Sequence, residues 1–318
     1  MALPFPLTKE AFFFVFLAIL INLIYNFCLG AKLAVILKHA GEKISLLHAF
    51  YTFCITKFSS IFTPLFTGTM LSKPLALRHY ANIPLSKGFS ITLFEQMLDF
   101  AMLIVLFPFV LLYLGSHFFS SAASEIAFTV LFIILAILAV ITILYKHEFI
   151  INIAWKLGTV LPKRIVSIFK KHGFTKENTT QSFKELKEYF TNKRLMLNLL
   201  PYLFLQLAII PFVLKYTAVA LGIPLSYKAS FLVYFVSVTI GKLSGLPGGF
   251  GSTDITMGGL LLFFNLTAIQ ATSIVILFRI VSLLPVLVIG GYLTFYLSVK
   301  YSLKLTSKET QEDQSPKN

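Results

Sequence analysis

Apolar residues dominate five stretches of the chain: Ala11 to Leu29, Phe89 to Leu114, Ala123 to Tyr145, Leu195 to Val219 and Ile269 to Val299. As a helix, each is long enough to cross about 30 Å of hydrocarbon, which takes roughly 20 residues at 1.5 Å apiece. Two further stretches, 46–80 and 227–266, begin apolar, break at a segment containing Pro and Gly, and resume as a shorter apolar piece. Broken backbone survives in a bilayer only where it is buried in protein or lines a cavity, so each predicts a broken helix or a re-entrant hairpin. Polar residues gather between the runs, above all in 146–194, which carries eleven Lys and Arg against four Glu. Within that segment Phe183, Leu186 and Phe190 recur at helical spacing and predict an amphipathic helix at the surface. From about Ser302 the chain turns polar and predicts a disordered tail over 302–318.

The pattern predicts an all-α polytopic membrane protein with about 7–8 membrane helices or half-helices. Its integral domain spans 1–301, with units near 10–145 and 195–300 joined by the basic connection 146–194. Composition agrees: 57% of the residues are hydrophobic and 13% charged, too apolar a balance for a soluble chain. Only Lys9 and Glu10 lie just before the first run, which is long enough to span, so it reads as a retained helix and not as a cleaved signal. A net charge of +14 points to nucleic acid in a soluble protein, but here the basic residues lie mostly between apolar runs, as the positive-inside rule arranges them. The expected partners are therefore membrane lipids, with anionic head groups favoured by about 1 kcal/mol per juxtamembrane lysine, and no nucleic acid. Cys28 and Cys54 lie inside apolar runs and the six histidines form no His-Glu-x-x-His pattern, so neither a metal nor a cofactor is expected.

Charge also orients the chain. Positive segments at 32–43 (Lys32, Lys38, Lys43), 73–87 (Lys73, Arg78, Lys87), 146–194 and beyond Lys300 are expected on the cytoplasmic side of the cell membrane. Residues 46–72 then enter and leave from that side, and 227–266 enter and leave from the other, with the N-terminus outside and the C-terminus inside. A plain seven- or eight-span chain violates the charge rule at only one short loop and stays open as an alternative.

Sliding the chain against itself by 183 residues sets Pro64 on Pro247, Gly68 on Gly251, Leu77 on Leu260, Asn82 on Asn265, Ser90 on Ser273 and Ile91 on Ile274, with no gap. The Pro, Gly and Asn matches weigh most, because those residues have positional meaning in helices. With the orientation above, the two units form inverted repeats, each with a broken or re-entrant helix pair. Such repeats are typical of transporters with a midplane site and alternating access. Duplication kept for folding alone is the plainer alternative.

Within the second unit, Gly241-Lys242-Leu243-Ser244-Gly245-Leu246-Pro247-Gly248-Gly249-Phe250-Gly251-Ser252-Thr253-Asp254 stands out. It lacks the closing Gly-Lys-Ser/Thr of a P-loop and no strand precedes it. One reading is a phosphate or head-group cradle made by the 245–251 loop and the helix start at Ser252, Thr253 and Asp254, with Lys242 beside it; the other is a tight turn with Asp254 capping the next helix. Glu95 and Asp99 are four apart and share a helix face roughly 9 and 15 Å into their run, while Arg279 lies about 15 Å into the last one. Such charges cost about 2.5–3.5 kcal/mol in a bilayer, so they should pair or line a wet path. A pair joining Arg279 to Glu95 or Asp99 across the repeat is the expected arrangement, with a purely structural ion pair as its alternative. Asn22 and Asn26 are expected to hydrogen-bond another helix, and Lys57 and Lys215 to snorkel, although Lys57 is deep enough to join the polar site.

Ser60-Ile61-Phe62-Thr63-Pro64 leading to Gly68, Glu95-Gln96-Met97-Leu98-Asp99, the Pro-Gly-Gly-Phe-Gly-Ser-Thr-Asp of 247–254, and Phe278-Arg279 together resemble the lysylphosphatidylglycerol synthase transmembrane region, also described as flippase-like. The resemblance covers nearly the whole chain. It implies a membrane domain that moves a modified phospholipid between leaflets, in a family whose other members are fused to lipid aminoacyl-transferase or glycosyltransferase domains. Three positions depart from the family's usual pattern: Thr69 stands in place of an acid, Gln96 in place of Arg, and Asp254 in place of Glu. The 318 residues contain no counterpart of the soluble transferase domain, so a carrier and not an enzyme is expected. Its cargo class would be an aminoacyl-phospholipid, another phospholipid or an isoprenoid-phosphate-linked lipid. The path would be formed by Glu95, Asp99, Lys242, Pro247, Gly248, Gly249, Gly251, Asp254 and Arg279. An accessory subunit of a lipid-modifying transferase, or a membrane-embedded transferase itself, is the alternative, and a small-solute transporter is a third.

Overall fold

The computed structural model describes residues 8–63, 67–118 and 185–313. All regular structure among them is helical: α1 (Lys9–His39), α2 (Leu46–Phe62), α3 (Thr67–Ala81), α4 (Leu85–Phe118), α5 (Lys193–Ala220), α6 (Tyr227–Leu243), a 3-10 turn (Pro247–Gly249), α7 (Ser252–Phe263) and α8 (Ala268–Asp313). Four of these are long and apolar enough to cross a membrane, at Lys9–His39, Leu85–Phe107, Lys193–Ala220 and Ala268–Val299, and the shorter apolar α2 accompanies them. The expected span Ala123 to Tyr145, together with Phe183, lies outside the described residues.

Local chemistry sets the boundaries. Thr8, Ser45, Asn192 and Ser226 each stand before a helix and accept a hydrogen bond from the backbone N–H three residues on. At the start of α8, Thr267 and Gln270 exchange side chain for backbone, with Thr267 N–H donating to Gln270 Oε1 at 3.0 Å and Gln270 N–H to Thr267 Oγ1 at 3.3 Å. Asn82 after α3 and Asn265 after α7 take φ of 53° and 63°, and are the non-glycine residues at positive φ among those described. Asparagine tolerates that left-handed turn, which ends a helix sharply. These are the two asparagines that the 183-residue offset superimposes.

The same offset relates whole elements. It carries Leu85 onto Ala268, the starts of α4 and α8, and brings α1 onto α5, α2 onto α6 and α3 onto α7 to within about two residues at most ends. α1 and α5 pack along their full length and run antiparallel: Ala18 lies in one apolar core with Ile210, Val213, Leu214 and Ala218, whereas Leu33, Ile36 and Leu37 share another with Leu195, Leu199 and Leu203. Two smaller clusters exchange partners between the units, α2 and α3 with α8 through Cys54, Ile55, Ala76, Val286 and Leu293, and α4 with α6 through Leu103, Val110, Leu232 and Phe235. Outward-facing Phe16, Phe204, Ile255, Tyr292 and Phe295 stay exposed, as a lipid-facing surface requires.

Several expectations need correction. α1 continues ten residues beyond Leu29, so Lys32 is not in a loop; it is fully buried. Lys73, also assigned to a basic loop, lies within α3 and is 1% exposed. Both were read as loop residues because a charge ends an apolar run, although a paired charge can continue a buried helix face. Lys38, Arg78 and Lys87 lie near helix ends and Lys43 lies in the α1–α2 turn, which Lys87 joins by donating to Glu42 and the Ala40 carbonyl at 2.7 Å each. Asn22 does reach another helix, donating to the Val281 and Ser282 carbonyls of α8 at 3.1 Å each, but Asn26 donates back to the Asn22 carbonyl of its own helix at 2.7 Å. Residues 185–191 are helical, and their apolar face rests on protein: Leu186 is buried and the Phe190 ring lies 4.9 Å from that of Phe94. The polar stretch from Ser302, expected to be disordered, continues the helix of α8 as far as Asp313.

Candidate functional site

Between α1, α2, α4, α5, α6, α8 and the 245–249 turn, the bundle holds a partly open cavity of about 290 Å³. Its polar lining is supplied by many elements: Asn26 from α1, Lys57 and Ser60 from α2, Lys73 from α3, Glu95 and Asp99 from α4, Gln206 from α5, Lys242 from α6 and Arg279 from α8. Gly248 and Gly249 line it as well, whereas Pro247, Gly251 and Asp254 stand behind the lining.

The acids do not pair as expected. Lys32 Nζ lies 2.7 Å from Asp99 Oδ1 and 3.6 Å from Glu95 Oε1, and Lys73 Nζ lies 2.5 Å from Glu95 Oε2. Gln206 bridges Lys32 and Asp99 at 3.4 Å each. Glu95 is thus shared by two lysines and Asp99 is held by one, which fills the places the sequence reading gave to Arg279. The correction follows from helix lengths: once α1 reaches His39 and α3 contains Lys73, two ammonium groups lie beside α4 and neutralise its carboxylates there. Among buried ion pairs this network is well satisfied, a condition that burial of charge imposes.

Arg279 instead binds within its own unit. Its Nε donates to Asp254 Oδ1 at 2.5 Å, its terminal nitrogens face the Gly248 and Gly249 carbonyls at 3.5 and 3.4 Å, and its guanidinium lies 4.8 Å from the centre of the Phe250 ring. Asp254 has a second task at the third position of α7, where Oδ2 accepts from the Gly251 N–H at 3.0 Å and so caps the helix. Asp254 thus caps α7, as the sequence predicts, and pairs with Arg279, which the sequence does not.

This geometry also resolves the glycine-rich segment. Gly245, Gly248, Gly249 and Gly251 have φ of 67°, 58°, 66° and 81°, so each occupies a conformation that a side chain disfavours. The N–H groups of Gly249, Phe250 and Gly251 are committed to Leu246 O, Pro247 O and Asp254. The Gly248 and Gly249 carbonyls face the Arg279 guanidinium, so this part of the loop presents carbonyls to a cation. Lys57 is exposed toward the cavity within electrostatic reach of Lys242 and Arg279, and Lys242 lies 5.9 Å from the Phe100 ring centre; among the described residues neither lysine has a carboxylate within 4 Å.

Residues 7–290 match the sequence profile of the lysylphosphatidylglycerol synthase TM region. The chain belongs to this family. It is also similar to a UPF0104 membrane protein of Methanothermobacter thermautotrophicus, 35% identical over 72 residues, which is 23% of this chain and 22% of that relative. The match therefore spans under a quarter of the relative's length. As a member of the family, the chain is an all-helical, multi-pass membrane protein, and Ser60, Thr63, Glu95, Gln96, Asp99, Gly248, Gly249, Thr253, Phe278 and Arg279 of the motif segments 60–68, 95–99, 247–254 and 278–279 line one polar cavity, residues 64–66 lying outside the described residues. Thr69 and Gln96 both line that cavity as neutral side chains, beside the charged Lys57, Lys73, Glu95, Asp99, Lys242 and Arg279.

Proposed function

We propose that this protein is a flippase-like carrier that moves a polar, anionic lipid between leaflets and performs no chemical step on it. The carrying observation is the charged cavity: a cation-rich space at the meeting point of two broken helix pairs, inside a bundle whose outer face is apolar. Two corresponding units support an alternating-access reading. Their helices coincide under one 183-residue offset, α1 runs antiparallel to its equivalent α5, and the α2–α8 contact has its counterpart in α6–α4. An inverted pair of units allows one break to open toward each leaflet, with the basic connection 146–194 and the C-terminus on the cytoplasmic side. The acids of α4, held by Lys32 and Lys73, keep the inner wall neutral, while Lys242, Lys57 and Arg279 face the head group.

Translocation of fluorescently labelled anionic lipids in proteoliposomes tests this reading, with wild type beside Arg279→Ala and Lys242→Ala. Wild type is expected to accelerate leaflet exchange, and each variant to slow it about tenfold or more, the loss of one charge-assisted contact. A folded wild type that moves no lipid overturns the carrier reading and favours the accessory-subunit alternative.

A further inference from the structure

The charge balance around the cavity narrows the cargo. Among the described residues five cations, Lys32, Lys57, Lys73, Lys242 and Arg279, line it or stand directly behind it, against three carboxylates, Glu95, Asp99 and Asp254. Every carboxylate is already engaged at 2.5–2.7 Å by Lys32, Lys73 or Arg279. Two positive charges remain, those of Lys57 and Lys242, and they face the same space from α2 and α6, the corresponding helices of the two units. Like charges held together in a medium of low polarity repel, and a ligand relieves this fully only when it brings two negative charges.

We propose that the cavity takes a lipid whose head group ends in a dianionic phosphate, a phosphomonoester or pyrophosphate, in preference to phosphodiester lipids and their aminoacyl derivatives. This inference rests on the carrier reading above and specifies its cargo. A phosphomonoester carries about −1.5 to −2 charge at neutral pH, because its second pKa is about 6. A phosphodiester carries one negative charge, and a lysyl ester of phosphatidylglycerol adds two ammonium groups that would oppose Lys57 and Lys242. Size agrees: about 290 Å³ is at the small end of ligand pockets, which run roughly 300–1,000 Å³, so a compact phosphate fits better than a lysyl-glycerol arm. Neutral Asn26, Ser60 and Gln96 add hydrogen-bonding groups to the lining without adding charge.

The test is calorimetric binding to the protein in phosphatidylcholine nanodiscs, with four probes: farnesyl phosphate, its monomethyl ester, lysyl-phosphatidylglycerol and inorganic phosphate. Farnesyl phosphate is expected to bind about tenfold or more tighter than its methyl ester, a difference of one charge-assisted contact, and lysyl-phosphatidylglycerol more weakly still. Lys57→Gln with Lys242→Gln should erase the preference for the dianion, and Lys57→Arg with Lys242→Arg should keep it, which separates loss of charge from loss of fold. Equal affinity for the ester and its methyl ester, or tightest binding of the lysyl lipid, overturns the inference. Inorganic phosphate bound as tightly as farnesyl phosphate overturns the lipid source and identifies a water-soluble dianion instead. The carrier reading fails separately: a dianion that binds while no lipid moves in proteoliposomes removes the carrier and keeps the site, whereas a methyl ester moved as fast as the phosphate keeps the carrier and removes the preference.

Discussion

Lys32→Met is expected to lower the stability of the folded protein by about 3–5 kcal/mol, the usual loss when one partner of a buried ion pair is removed. The side chain is fully buried, with Asp99 at 2.7 Å, Glu95 at 3.6 Å and Gln206 at 3.4 Å. Methionine fills much of its volume, so the effect isolates charge from packing. It leaves Asp99 without its ion-pair partner and with the Gln206 amide as its hydrogen-bond donor, while Glu95 retains Lys73. Adding Asp99→Asn should therefore recover much of the loss, because the pair is then removed as a unit and no uncompensated charge stays inside. Thermal unfolding in nanodiscs, followed by circular dichroism for wild type, both single variants and the double variant, reads all four corners of the cycle. A drop below about 1 kcal/mol for Lys32→Met, the range of exposed pairs, would show that the network does not bear on the fold.

The network explains what the sequence did and did not disclose. Spans longer than about 20 apolar residues were visible because the bilayer imposes a length on them, and α5 and the apolar part of α8 fall within about two residues of expectation. The 183-residue correspondence was legible because Asn82 and Asn265 both end helices at positive φ, where asparagine is favoured over aliphatic side chains. Glu95, Asp99 and Arg279 were recognisable as intramembrane charges, yet their partners were not. Lys32 and Lys73 stand at the ends of apolar runs, where a lysine on a solvated loop and a lysine buried on a helix face look alike in one dimension. Asn22 and Asn26 gave the available signal: with Leu29 and Leu33 they mark a buried stripe of α1 that continues past Leu29, and helix continuity would have carried Lys32 inward. For the glycine-rich segment, composition announced unusual backbone but not its direction, since a loop that offers carbonyls and one that offers N–H groups need the same glycines.

Gly290→Ala is expected to destabilise the protein by about 1–3 kcal/mol, the usual cost of overpacking a tight contact. A β-carbon at 290 would collide with the Cys54 carbonyl oxygen and would lie 2.9 Å from both the Cys54 carbonyl carbon and Phe58 Cβ. Backbone on a facing helix cannot swing aside as a side chain does, so α2 and α8 must separate. These two helices carry Lys57 and Arg279, so under the proposed carrier function the same change should also slow lipid translocation. Gly258 and Gly259 of α7 supply the internal control, since a β-carbon at either meets only open space. Gly258→Ala and Gly259→Ala should each stabilise their helix by roughly 0.5–1 kcal/mol, the difference in helix propensity between the two residues. Unfolding of the three variants side by side then separates helix propensity, which acts alike at all three positions, from the close approach of α2 to α8, which acts at Gly290 alone. A Gly290→Ala protein as stable as wild type would place the two units farther apart than this packing holds them, and with them the two cations that face the cavity.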